Sequence, residues 1–126
     1  MGDFFKQRHW LHFLTALSLG HVCLGKSNFE GYDIFNCVGI GVCVGIFIGI
    51  VAGLWEWSQA YYVSHNYPLA ETDGWDSADI IWSFVGGITG ACFGALLQVD
   101  AIWWTALAVF VSCIGSEVLR ILKVTK

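Results

Sequence analysis

Charge is what this sequence has least of. Asp, Glu, Lys and Arg make up 13% of its 126 residues, about half of the roughly 25% usual in soluble domains. A soluble fold with so few charges would have too little polar surface to cover its core. Proline occurs once, at Pro68, so nothing interrupts the apolar runs on either side of it. There is no basic surplus either. Six Lys and Arg stand against ten Asp and Glu, for a net charge of −4, which excludes the electrostatic footprint of a nucleic-acid binder. Paired cysteine spacing is also missing. Cys23, Cys37, Cys43, Cys92 and Cys113 are scattered through apolar runs, which excludes a zinc ribbon or C-x-x-C redox motif. They read as small buried hydrophobes, with a Cys23–Cys37 disulfide as the alternative. No H-E-x-x-H, nucleophile elbow, Walker loop or dinucleotide fingerprint occurs. No catalytic group, cofactor or metal motif is therefore assigned, and a non-enzymatic role is expected. No small-residue cleavage site follows the first apolar run, so no cleavable leader is expected.

What is present is hydrophobicity: 56% of the residues and a mean hydropathy of +0.64. Four apolar segments can be drawn, at about 4–24, 34–62, 77–97 and 101–122. Crossing about 30 Å of hydrocarbon at 1.5 Å per residue takes roughly 20 residues. The first segment is the weakest, being interrupted by His12, Thr15, Ser18 and His21. Continuous rather than alternating runs argue for helices over a barrel. The expectation is a single all-α domain over 1–126, a polytopic membrane bundle of about four transmembrane helices. The short link Gln98-Val99-Asp100 makes the third and fourth segments antiparallel neighbours.

Trp55, Trp57, Tyr61, Tyr62, Tyr67, Trp75 and Trp82 gather around one loop, and Trp103 and Trp104 flank the opposite one, the pattern of two aromatic belts. With four crossings, Lys6, Arg8, Arg120, Lys123 and Lys126 share one side and only Lys26 lies on the other. The positive-inside rule then puts both termini in the cytoplasm. A small polytopic chain of this kind suits the inner membrane of a bacterium, or a phage-encoded protein there.

Two glycine ladders follow. Gly41, Gly45, Gly49 and Gly53 recur at every fourth position of the second segment, and Gly86, Gly90 and Gly94 do so in the third. Positions four apart share a helix face, and a face of glycines lets another backbone approach closely. The ladders are expected to pack segments two and three together, or else to mediate self-association.

Ionisable groups converge at one membrane level. Glu56 and Gln59 close segment two, Asp76 and Asp79 open segment three, His9 and His12 open segment one, and Glu117 and Arg120 close segment four. Asp76 reads as a helix N-cap, and Asp79 also suits the positive end of a helix. Glu117 and Arg120 read as a local ion pair. Glu56, within a turn of an all-apolar run, is a functional candidate by default. His, Glu and Asp together could bind Zn²⁺ or Mg²⁺.

Glu56-Trp57-Ser58-Gln59, followed by Asp79-x-x-x-Ser83-x-x-Gly86-x-x-x-Gly90, resembles the core of the VanZ-like membrane proteins. Their pattern is E-x-x-Q, a polar loop, then D-x-x-x-N-x-x-G-x-x-x-G across two antiparallel helices. The match covers about residues 53–94. Ser83 stands where that pattern has Asn, and the loop is long and lacks its usual Arg. His12-Phe13 is similar to the early His-Phe of small YfiM-like envelope proteins. The resemblance implies a multi-helix bundle with an envelope-related role. Glu56, Gln59 and Asp79, helped by His12, would form a cytoplasmic-side site for a lipid headgroup or a cation. Two other functions remain open: a holin-like or pore-forming oligomer built on the glycine ladders, and a membrane anchor or assembly subunit without chemistry. The expected partners are the bilayer, a lipid headgroup and, in the pore reading, further copies of the chain.

Overall fold

The computed structural model describes the backbone of residues 9–27, 29–64 and 77–125, and the side chains of 9–27, 29–58 and 77–119. Among the described residues the chain is all-α. It has four helices: α1 (His9–Leu24), α2 (Ile34–Ser64), α3 (Ser77–Leu96) and α4 (Asp100–Thr125). The expected start of the first segment near Phe4 lies outside the described residues, as do Asp76, Tyr67 and Trp75.

Local chemistry explains the helices and their ends. In α1 the hydroxyls of Thr15 and Ser18 donate back to the carbonyls of Leu11 (2.6 Å) and Leu14 (2.9 Å), so these polar side chains are satisfied within the helix. The connection to α2 turns at Gly31, whose φ of +85° suits a residue without Cβ. Asp33 caps α2, its carboxylate accepting from the Asn36 amide at 2.7 Å, the usual N-cap geometry. At 31 residues, α2 is about 46 Å long. Stretches of α2, α3 and α4 are long and apolar enough to cross a membrane: Ile34–Ser58, Ser77–Leu96 and Asp100–Leu119.

Helix α3 is sandwiched between α1 and α2, and each glycine ladder has its own partner. A Cβ added at Gly41, Gly45 or Gly49 would run into Cys92, Ile88 or Phe84 respectively. The numbers fall as those of α2 rise, so α2 and α3 are antiparallel. A Cβ at Gly86, Gly90 or Gly94 would meet the carbonyls of Phe13, Leu17 or His21. Here both series rise together, so α1 and α3 run parallel. The ladder of α3 thus receives α1, not α2. The physical reason is register: Phe84, Ile88 and Cys92 precede or follow the ladder glycines by two residues, about 200° around the helix, which puts them on the opposite face. Among the described residues no atom lies within 4 Å of such a Cβ at Gly53, and the ladder contacts of α2 run from Gly41 to Gly49.

The fourth helix corrects another expectation. Despite the short link 97–99, α4 packs on α1 rather than on α3, and only 6% of its apolar stretch is buried. The turn reverses the chain, but α3 is already covered on two faces. The turn is held instead by its contacts to the end of α1, through Gln98 and Trp103.

Burial is inverted relative to a water-soluble fold. Glu56, Ser83, His9, Asp79, Ser18 and His21 are buried, whereas Phe35, Phe47, Leu54, Ile81, Val111 and Leu119 lie on the surface. In soluble proteins a buried polar group or a large exposed apolar surface is the informative exception. Here both occur along the same helices. The cysteines divide: all five are free, Cys37 and Cys113 are buried and Cys23 and Cys43 are exposed. The disulfide alternative is therefore absent from this structure.

Candidate functional site

The topology brings one end of each helix to a common level. Helices α1 and α3 begin there, while Glu56 lies in the later part of α2 and Glu117 in that of α4. Three helices each contribute to one cluster: His9 and His12 from the first turns of α1, Glu56 from α2, and Asp79 from the first turn of α3. Packing fixes their approach, because Gly86 and Gly90 admit the α1 backbone at Phe13 and Leu17. That places His12 beside the Phe13 contact and His9 about one turn before it, within reach of Asp79.

Asp79 is the hub. One carboxylate oxygen, Oδ1, lies 2.6 Å from His9 Nδ1, and the other, Oδ2, lies 3.3 Å from His12 Nε2. Against a carboxylate that only accepts when ionised, His9 Nδ1 would be the donor, and the contact is shorter than an ordinary N–H···O bond. His12 Nε2 is 4.0 Å from Glu56 Oε1, so this imidazole stands between the two carboxylates. Glu56 is 2% exposed and Asp79 8%. Carboxylates so deep in an apolar bundle require compensating charge or hydrogen bonds, and the imidazoles are placed to give it. Ser83, one turn beyond Asp79, turns its hydroxyl to the Asp79 carbonyl at 2.8 Å and is itself 2% exposed. It serves the helix backbone rather than the cluster.

One ligand atom each from His12, Glu56 and Asp79 lies within 4.8 Å of the others. Zinc bonds nitrogen and oxygen at about 2.0–2.2 Å, so neighbouring ligands of a tetrahedral ion stand about 3.3 Å apart. The His12–Asp79 separation of 3.3 Å already has that value, and Glu56, 4.0 Å from His12 in a triad that spans up to 4.8 Å, would have to move inward to ligate. His9, hydrogen-bonded to Asp79 from behind, is placed as the outer partner that orients a ligating carboxylate.

Of the four candidate residues read from the sequence, the structure brings Glu56, Asp79 and His12 together. Gln59 lies outside the described side chains, as does Arg120, the expected partner of Glu117. His9 lies at the same end, outside the site expected from the sequence. Its three-residue spacing from His12 puts both on one helix face, and that was the available signal.

No known family model, curated protein or solved structure matches this chain.

Proposed function

We propose that this chain is an integral membrane protein, a four-helix bundle of the cytoplasmic membrane, whose His12–Glu56–Asp79 cluster holds a divalent cation of the zinc type. The observation that carries the reading is the approach of three donor atoms to within 4.8 Å from three different helices, two of them on buried carboxylates. A mixed nitrogen and oxygen donor set favours zinc over magnesium, which prefers all-oxygen surroundings with retained water. Three protein ligands leave a fourth position open.

Several observations support the membrane part. Three helices have the length and hydropathy of spans, and apolar side chains face outward while polar ones are buried. The parallel α1 lies against α3 and so shares its depth. The basic residues of the two termini favour the cytoplasm for the cluster's side. Glu56 and Asp79, the carboxylates of the VanZ-like pattern, are also those of the cluster, which supports kinship with that family and an envelope role. The pore reading draws less support, since six of the seven ladder glycines meet other helices of the same chain.

The test is metal content of the full chain, purified in detergent and dialysed against Zn²⁺. One ion per chain is expected, with affinity at least tenfold weaker in Glu56→Gln/Asp79→Asn. Equal zinc in that double variant would place the metal elsewhere and sink the proposal.

A further inference from the structure

Asp79 divides its carboxylate between two imidazoles. Oδ1 lies 2.6 Å from His9 Nδ1, and Oδ2 lies 3.3 Å from His12 Nε2. Oδ2 is therefore the oxygen on the side of His12, one of the three donors of the cluster, and Oδ1 is the oxygen on the side of His9. The His9 contact is built into the seam between α1 and α3. His9 stands four residues before Phe13, and Asp79 stands seven before Gly86, spacings that keep each pair on one helix face. Phe13 and Gly86 are where the two backbones approach. His9 is 4% exposed, so its ring has little room to swing away.

Resting on the cation reading above, we infer that His9 sets the metal preference of the cluster. By holding Oδ1 it makes Asp79 a one-oxygen ligand, and so selects a four-coordinate ion of the zinc type over divalent ions that seek more oxygen, such as Mn²⁺. Zinc takes four ligands at about 2.0–2.2 Å. Calcium and manganese suit six or more ligands, mostly oxygen, and reach that number most easily when a carboxylate gives both of its atoms. Asp79 can give Oδ2 to an ion and keep the His9 contact. Turning to give both oxygens would break a short contact to a buried imidazole, and a buried hydrogen bond is expensive to leave unmade. His9 touches no ion in this scheme. It is a positioning residue that acts through Asp79, as outer partners of ligating carboxylates do.

The experiment uses the full chain in detergent, stripped of metal and then titrated with Zn²⁺ and Mn²⁺ in competition. Wild type is compared with His9→Phe, His9→Ala and His9→Asn. Phe keeps the bulk and removes the donor, Ala removes the donor without a ring to disturb the seam, and Asn returns a side-chain N–H close to the position of Nδ1. Zinc X-ray absorption is recorded on each loaded protein. Expected are a four-coordinate zinc shell in the wild type, a preference for Zn²⁺ over Mn²⁺ that falls at least tenfold in His9→Phe and His9→Ala, and recovery of that preference in His9→Asn. Equal weakening of both ions, with the ratio unchanged, would make His9 structural and overturn the inference while the cation reading stands. A wild-type zinc shell of five or six ligands would overturn it too, as would His9→Asn behaving like His9→Phe. If the wild type takes up no zinc, the cation reading itself falls and this inference falls with it.

Discussion

At its first turns α1 meets ionisable side chains from two other helices, whereas at its last turn it meets donors aimed at its backbone. Gln98 Nε2 donates to the carbonyl of Leu24 at 2.9 Å and to that of Ser27, and Trp103 Nε1 donates to the carbonyl of Val22 at 3.1 Å. The final carbonyls of a helix lack intrahelical partners, and an unsatisfied one in apolar surroundings is costly. The contacts at this end are therefore what folding itself demands. Lys26 adds a cation–π contact, 4.6 Å from the centre of the Trp103 ring. At the other end His9, His12, Glu56 and Asp79 address one another. Folding has no comparable need for them, since well-packed apolar residues often replace buried ion pairs without loss. One end is explained by the backbone, and the other gathers ionisable groups that the backbone does not require.

Substitutions at the two ends should separate these roles. The largest effect is expected at Asp79. Asp79→Ala leaves His9 and His12 facing Glu56 without their hub, and removing one partner of a buried pair costs about 3–5 kcal/mol. Denaturant titration in mixed micelles should show that loss together with loss of zinc. If stability falls while zinc affinity is unchanged, Asp79 is structural. Next comes Gly90→Val, whose side chain would overlap the Leu17 carbonyl. Forced repacking costs about 1–3 kcal/mol or more, and the α1–α3 contact carries both ends, so both should weaken. Gln98→Ala is expected to cost about 1 kcal/mol, the net worth of an ordinary hydrogen bond, because the Leu24 carbonyl keeps the Ser27 N–H as a donor, with zinc affinity unchanged. A tenfold loss of zinc in Gln98→Ala would mean that the two ends are coupled through α1.

The all-α character was legible because uninterrupted apolar runs and a single proline leave helix as the one way to satisfy the backbone in an apolar setting. The convergence of Glu56, Asp79 and His12 was legible from alternation alone, since successive helices bring alternate ends to one level. What the sequence could not specify was which helix each face meets. Gly90 announces a close approach but does not say that Leu17 makes it, because spacing defines a face and not its neighbour. The same limit hid the placement of α4, where the short turn set direction while Gln98 and Trp103 chose α1 as the support. His9 is less legible, because a histidine near a segment's start reads equally as a surface residue. Only its 2.6 Å contact with Asp79 distinguishes it from that.

The smallest effect is expected at His21, the histidine of α1 that belongs to the backbone-capped end. It is buried, and its Nε2 has no hydrogen-bond partner among the described residues. Gly94 approaches its backbone carbonyl, so the helix contact at this position does not depend on the imidazole. Replacing an unsatisfied polar group by an apolar one of similar size is nearly neutral or stabilising. His21→Leu should therefore shift stability by about 1 kcal/mol or less, in either direction, and leave zinc binding intact. His12→Leu, nine residues earlier on the same helix, should remove zinc. Equal loss of zinc from both variants, measured by metal content per folded chain, would erase the distinction between the two ends.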